Sequence, residues 1–330
     1  MNKTESISLT ASELGYLWTG YSINEMSKWY LTVFLEQSKD EEIKNLYTFA
    51  LENTNDILIE RKKLLSQDGY PIPVGFSEKD ISESSPPLFS DRFLLHYLHG
   101  GVQLGLEFHS RSLALSTRVD VRKYHINCLN FAIKLNEKVV NLLLNKGLYW
   151  RTPSLPAPKS PEIIQKSSYL NGLLGDTRPI NSMEIANLYQ ILNLLIMIET
   201  LCIGFAQTSD NEEIVELFLK GASIVRNQFN SLVELLNKDN LPAPPSYSAE
   251  LTNSQKRIFS DRIMVSQIAG LFGSLLTQYG FSLGAVMKHD LVTEYSQHIS
   301  KVGPYTEKVT RFLIEKEWLE KVPGAVSREL

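Results

Sequence analysis

The chain contains itself twice, and no other feature constrains its fold as much. Residues 64–73 (LLSQDGYPIP) line up with residues 235–244 (LLNKDNLPAP) at an offset of 171. Residues 88–93 (LFSDRF) match residues 258–263 (IFSDRI) at an offset of 170. The register holds in both directions. Upstream, Glu13 meets Glu184 and Glu41-Glu42-Ile43 meets Glu212-Glu213-Ile214; downstream, Asp120 meets Asp290, Glu137-Lys138-Val139 meets Glu307-Lys308-Val309, and Pro153 meets Pro323. An offset kept within one residue over such a length marks a duplicated unit. It predicts a domain over 9–158, a linker over 159–179 and a second domain over 180–330.

Each half reads as four helices. Thr10-x-x-Glu13 is a capping box that opens the first, to about Gln37, with Leu14, Trp18, Tyr21, Trp29 and Val33 on one apolar stripe. Ser38-x-x-Glu41 predicts the cap of a second helix to about Ser66, with Ile43, Tyr47, Ala50, Ile57 and Leu64 inward. Prolines 71, 73, 86 and 87 make the following connection non-helical, because proline lacks the amide donor and clashes with the preceding turn. A third helix is expected over about 89–117 and a fourth over about 120–147. The second half repeats the scheme over about 183–208, 209–238 (capped by Ser209-x-x-Glu212), 259–288 and 290–321.

Connection lengths then choose the topology. Very short links force helices 1 and 2, and helices 3 and 4, into antiparallel neighbours. The long link between helices 2 and 3 can run the length of a bundle. Two hairpins joined by one long crossover is the connectivity of a ferritin-like four-helix bundle. The expected fold is therefore all-α, with two tandem ferritin-like bundles.

Two features of the helices need a reason. The third helices carry Gly100, Gly101 and Gly105 in one half and Gly270, Gly273, Gly280 and Gly284 in the other. Each costs about 1 kcal/mol against alanine inside a helix, and close approach of helix backbones is the expected compensation. Gly303-Pro304 is expected to kink the last helix.

A ferritin-like bundle raises the question of a di-iron centre, which needs Glu-x-x-His on two helices and a Glu from each of the other two. No Glu in the chain is followed by His three residues later. Glu294-x-x-x-His298 comes nearest, and Tyr124 and Cys128 stand at the matching places in the first half. What remains is one degenerate candidate set in the first half: Glu25 on an apolar stripe, Asp56 and Glu60 on the second helix, and His96, His99 and Glu107 on the third, with Gln103 and His125 nearby. These could hold iron, manganese or zinc, or a small ligand; the competing reading is a buried polar network and surface histidines. The second half has Ile196, Ser266 and Ala269 where the first has Glu25, His96 and His99. No cofactor is expected in the main reading, and no residue is assigned as catalytic.

Composition excludes other classes. A net charge of −4 without a basic cluster argues against nucleic acid. The apolar stretch at 185–205 is broken by Asn187, Asn193 and Glu199, which predicts a buried helix and not a membrane span. Two cysteines, Cys128 and Cys202, give no disulfide framework and are expected in the core. There is no phosphate loop, nucleophile elbow or H-E-x-x-H.

The repeat, the Asp-Gly-Tyr-Pro-Ile-Pro element at 68–73 and the Phe-Ser-Asp-Arg element at 89–92 and 259–262 make the chain resemble a known group. It is similar to the tandem ferritin-like proteins of endospore-forming bacteria grouped as domain of unknown function 3231, related in fold to spore coat protein F. The resemblance implies a ferritin-like fold and an association with sporulation or the spore coat; the two cysteines and an N-terminus without an apolar signal core lead to the expectation of a cytoplasmic protein, in the sporulating cell or the spore coat. The resemblance carries no catalytic residue across. The function expected is that of a non-enzymatic structural or accessory protein, whose partners would be a second copy or other spore proteins. A metal-dependent oxidase or hydrolase in the first bundle, and a bundle that binds a small apolar ligand, are the alternatives.

Overall fold

The computed structural model describes residues 7–82, 86–172, 177–246 and 248–326. Among these the chain is all-helical: α1 (Ala11–Gln37), α2 (Glu41–Gln67), α3 (Asp91–Ala114), α4 (Val119–Asn145), α5 (Ser182–Thr208), α6 (Glu212–Lys238), α7 (Asp261–Ala285) and α8 (His289–Glu315). The starts of α5 and α6 repeat those of α1 and α2 at 171, and the starts of α7 and α8 repeat those of α3 and α4 at 170. The one-residue slip falls in the crossovers, 68–90 and 239–260. In the first half α1 pairs with α2 and α3 with α4, while α2 lies along α4 and α1 meets α3. In the second, α5 pairs with α6, and α6 meets α8. This pairing is that of two four-helix bundles.

The helix ends follow from local chemistry. Thr10 and Asn181 each form a capping box, with Glu13 and Glu184 respectively. The caps of α2 and α6 differ from the expected Ser38 and Ser209. Asp40 takes the amides of Glu42 and Ile43, and Asn211 takes those of Glu213 and Ile214. The two serines instead stand just after the last residues of α1 and α5 as their C-caps, and the Ser38 hydroxyl donates to Asp91 Oδ1 at 2.7 Å. After α2, Gly69 adopts φ +75°, and Tyr70 N–H returns to Leu65 O. Its repeat partner Asn240 adopts φ 55°, and Leu241 N–H returns to Leu236 O. Both are left-handed helix stops, made by the two residue types that tolerate that conformation best.

Glu13 and Glu184 also do a second job. Glu13 Oε1 accepts from the amides of Thr117 (2.7 Å) and Arg118 (2.8 Å), pinning the α3–α4 link to the start of α1. Although burial alone would raise its pKa, those amides and Thr10 hold the carboxyl down at about 2. Glu184 takes the Arg178 guanidinium at 2.8 Å on each oxygen and, more weakly, the amides of Met287 and Lys288.

The chain divides into two compact units whose limits differ from those of the repeats. The first holds residues 1–149, 252–263 and 316–330, and the second holds 150–251 and 264–315. In the first unit, Ile81 and Phe259 form an isolated antiparallel bridge, with Ser82 N–H to Ile258 O and Ser260 N–H to Asp80 O, both 2.8 Å. Phe259 packs on Tyr30, with ring centres 4.4 Å apart. The core of that bundle includes Leu14, Leu17, Ile57, Leu64, Leu65, Val121, Tyr124 and Cys128.

The helix α5 is long and apolar enough to cross a membrane, yet 78% of its most apolar window is buried in the protein, as a core helix would be. A Cβ placed on Gly101, Gly105, Gly270, Gly273, Gly280 or Gly284 would meet no described atom within 4 Å. Close backbone approach therefore does not account for these glycines. The helix α8 is one continuous element through Pro304.

Candidate functional site

The residues singled out from sequence divide by environment. Glu25 is buried, accepts a hydrogen bond from Tyr21 Oη at 2.9 Å and lies 3.5 Å from Lys62 Nζ. Its methylenes lie against Gly75 of the first crossover. This carboxylate has its partners within a structural contact. Asp56 and Glu107 are exposed, and Glu60 is half-buried. His96 and His99 are half-buried on α3, where desolvation pushes their pKa values down to about 3 and about 4. The His99 ring lies 3.4 Å from the Gln103 amide nitrogen and packs on Tyr149. Among the described residues, no three His, Cys, Asp or Glu side chains converge as metal ligands.

Between the helices of the first bundle lies a partly open pocket. A cavity of about 130 Å³ lies between all four helices. Asn24, Ser27 and Leu31 of α1 line it, with Ala50, Thr54 and Ile57 of α2. From α3 come Tyr97, Leu98, Val102 and His109, together with Gly101 and Gly105; from α4 come Cys128, Phe131, Ala132 and Leu135. The two glycines thus leave space where longer side chains would fill it. That is the structural consequence of the glycine load in this half.

One helical turn from the cavity is a buried polar layer. Arg61 is fully buried, and its Nε donates to Tyr124 Oη at 2.7 Å. Its Nη1 and Nη2 have no hydrogen-bond partner among the described residues. Gly20 makes the space for this group, since a Cβ there would overlap the guanidinium. Beside it, His109 and His125 face each other with their Nδ1 atoms 3.2 Å apart, so one ring donates and the other accepts. Desolvation first, and the Arg61 charge second, push their pKa values down to about 2 and about 4. Burial pushes the Cys128 thiol up to about 11. At neutral pH the layer carries one full charge, that of Arg61.

Sequence reading passed over Arg61 and His109 and reached His125 and Cys128 only in passing. A signal was available. Arg61 is four residues after Ile57 and three before Leu64, both on the apolar stripe of α2. The repeat offers a second signal, because Gly20 and Arg61 align with Ile191 and Leu232. A glycine–arginine pair in one copy stands where the other has two branched aliphatics.

A protein-family profile described as "Protein of unknown function (DUF3231)" matches residues 1–160 and again 168–330. No curated protein matches the chain. Among solved structures, a provisionally assigned spore coat protein from Bacillus halodurans is 21% identical. It covers 47% of this chain and 100% of its own length, at a TM-score of 0.43. The chain belongs to the DUF3231 family, which its two repeats match in tandem.

Proposed function

We propose that this DUF3231 protein is a non-enzymatic accessory protein whose first bundle is a chamber for a small ligand and whose second bundle is a structural copy. The observation that carries the reading is the cavity of about 130 Å³ between the four helices of the first bundle, which opens toward solvent at Gly101. An apolar cavity of about 150 Å³ is large enough to take benzene. The sporulation setting implied by the family resemblance is part of the same proposal.

Two experiments test it. Saturating toluene should raise the thermal midpoint of the full chain, and Gly105→Leu, which fills the cavity wall, should remove that rise. No rise in the parent protein would end the chamber reading. For the setting, sporulation-timed expression and fractionation should place the protein in sporulating cells or spores. Finding it only in vegetative cytosol would end that part.

A further inference from the structure

Five residues that line the pocket change character together between the two copies. At the repeat offsets, Asn24 and Ser27 of α1 align with Leu195 and Ile198, and Thr54 of α2 aligns with Val225. Gly101 and Gly105 of α3 align with Leu271 and Leu275. All five second-copy residues are buried aliphatics. The first copy thus differs at one place in two ways at once. It has two glycines where side chains would take up room, and three hydrogen-bonding side chains where the other copy has hydrocarbon.

Thr54 is the polar group placed to read a ligand. It is 5% exposed, lines the pocket, and its hydroxyl makes no hydrogen bond with another described residue. A helical threonine can return its hydroxyl to the carbonyl one turn back. Thr200 does so to Ile196 O at 2.8 Å and Thr208 to Gly204 O at 3.1 Å. Thr54 leaves that bond unmade. Nor is its oxygen sealed in protein, as Nη1 and Nη2 of Arg61 are. A buried hydroxyl without a partner is costly, and a bound molecule that offers one recovers the loss.

The rest of the lining limits what that molecule can be. No Asp, Glu, Lys or Arg lines the pocket, and burial holds the His109 pKa at about 2, so its ring is neutral at pH 7. A charged ligand would give up its water and meet no opposite charge. Leu31, Ile57, Leu98 and Phe131 make much of the wall apolar. Entry is open on the side of the exposed Gly101.

We propose that the first-bundle chamber selects an uncharged apolar molecule with one hydroxyl, about the size of phenol, whose hydroxyl bonds to Thr54 Oγ1 while its body lies on the apolar wall. This rests on the chamber reading, and the experiment separates the two. The full chain is titrated at pH 7 with phenol, toluene and benzoate, and binding is followed by calorimetry and thermal midpoint. Thr54→Val, which installs the side chain of Val225 with almost unchanged shape, should weaken phenol at least fivefold and leave toluene within twofold. Thr54→Ser, which keeps the hydroxyl, should hold phenol within threefold of the parent. Benzoate should bind at least tenfold more weakly than phenol. Phenol unmoved by Thr54→Val, toluene weakened as much as phenol, or phenol lost equally in Thr54→Ser overturns recognition through the hydroxyl and leaves the chamber standing. So does binding of toluene without phenol. Benzoate as tight as phenol overturns the selection for an uncharged molecule. Binding of neither phenol nor toluene overturns the chamber itself.

Discussion

The two bundles share their ends and differ in their middles. At matching levels, the first has Gly20, Arg61, His109, Tyr124, His125 and Cys128, and the second has Ile191, Leu232, Tyr279, Glu294, Tyr295 and His298. The second layer is built from neutral groups and one carboxylate. Tyr279 donates to Gln228 Oε1 at 2.9 Å, and Gln228 Nε2 donates to His298 O at 3.3 Å. Ser231 Oγ lies 3.0 Å and Glu294 Oε1 3.2 Å from His298 Nε2. The first layer instead keeps a cation with two unmatched nitrogens. Helix length, caps and links can be copied unchanged because they depend on local backbone needs. An interior layer can drift once one copy no longer has to serve the same purpose.

Acid should break this symmetry most strongly. Four histidines of the first unit have pKa values lowered to between about 2 and about 4, against one, His298 at about 4, in the second. An unfolded histidine takes its proton near 6.5, so below that pH the unfolded state binds protons the native state refuses. The stability these groups contribute is fully present above about 6.5 and is lost as pH falls toward their folded values. Glu13, held at about 2, adds a loss of the same sign below about 4.5. On titration from pH 7 to pH 4, the first unit should unfold before the second. Trp18, Trp29 and Trp318 lie in the first unit and Trp150 in the second. Tryptophan fluorescence should therefore change at a higher pH than the helical circular dichroism signal midpoint. Coincident transitions would remove the contrast.

The next effect is steric. Gly20→Ile copies one half of the second bundle's pair and forces a branched side chain into the guanidinium. We expect a loss of about 3 kcal/mol in urea unfolding, from overpacking and displacement of a buried charge. Adding Arg61→Leu should restore stability to within about 1 kcal/mol of the parent, because the double variant recreates the Ile191–Leu232 arrangement. Without that rescue, the two positions are not a compensating pair. On the other side, Gln228→Leu should cost about 2 kcal/mol by leaving the Tyr279 hydroxyl without its acceptor. A cost under about 0.5 kcal/mol would mean that this network is not what holds the second layer.

Much of the fold was legible because it rests on periodic and local signals. The offset of 171 sliding to 170 is visible in residues 64–73 and 88–93, and the helices repeat with the same slip. The misplaced caps show where local reading fails. Ser38 and Asp40 are both good caps, and it is a residue distant in sequence, Asp91, that takes the Ser38 hydroxyl while Asp40 caps α2. The candidate site was harder to read. Glu25 sits on a buried stripe as expected, but Tyr21, one turn earlier on its own helix, and Lys62, on α2, already occupy it. The cavity could not be read from sequence at all, since it depends on what four helices fail to fill. The position of 252–263 within the first unit was equally hidden, because pairing of Ile81 with Phe259 is a long-range contact with no periodic signature.

The smallest effect lies at the helix ends, where the copies are most alike. Gly69 and Asn240 hold the same left-handed position after α2 and α6. Glycine adopts that conformation without steric cost, while asparagine is strained there less than other side-chain-bearing residues. Exchanging them should therefore give opposite signs: Gly69→Asn should destabilise by about 0.5–1 kcal/mol, and Asn240→Gly should be neutral or stabilising by a few tenths. The glycine's greater freedom in the unfolded chain offsets part of the second gain, which is why it stays small. Urea midpoints of the two single variants and the double exchange would decide the point. Opposite shifts that nearly cancel in the double variant mean that the two ends are one device used twice. Two losses of similar size would mean that each stop is fitted to its own crossover, and the shared ends would then be as divergent as the middles.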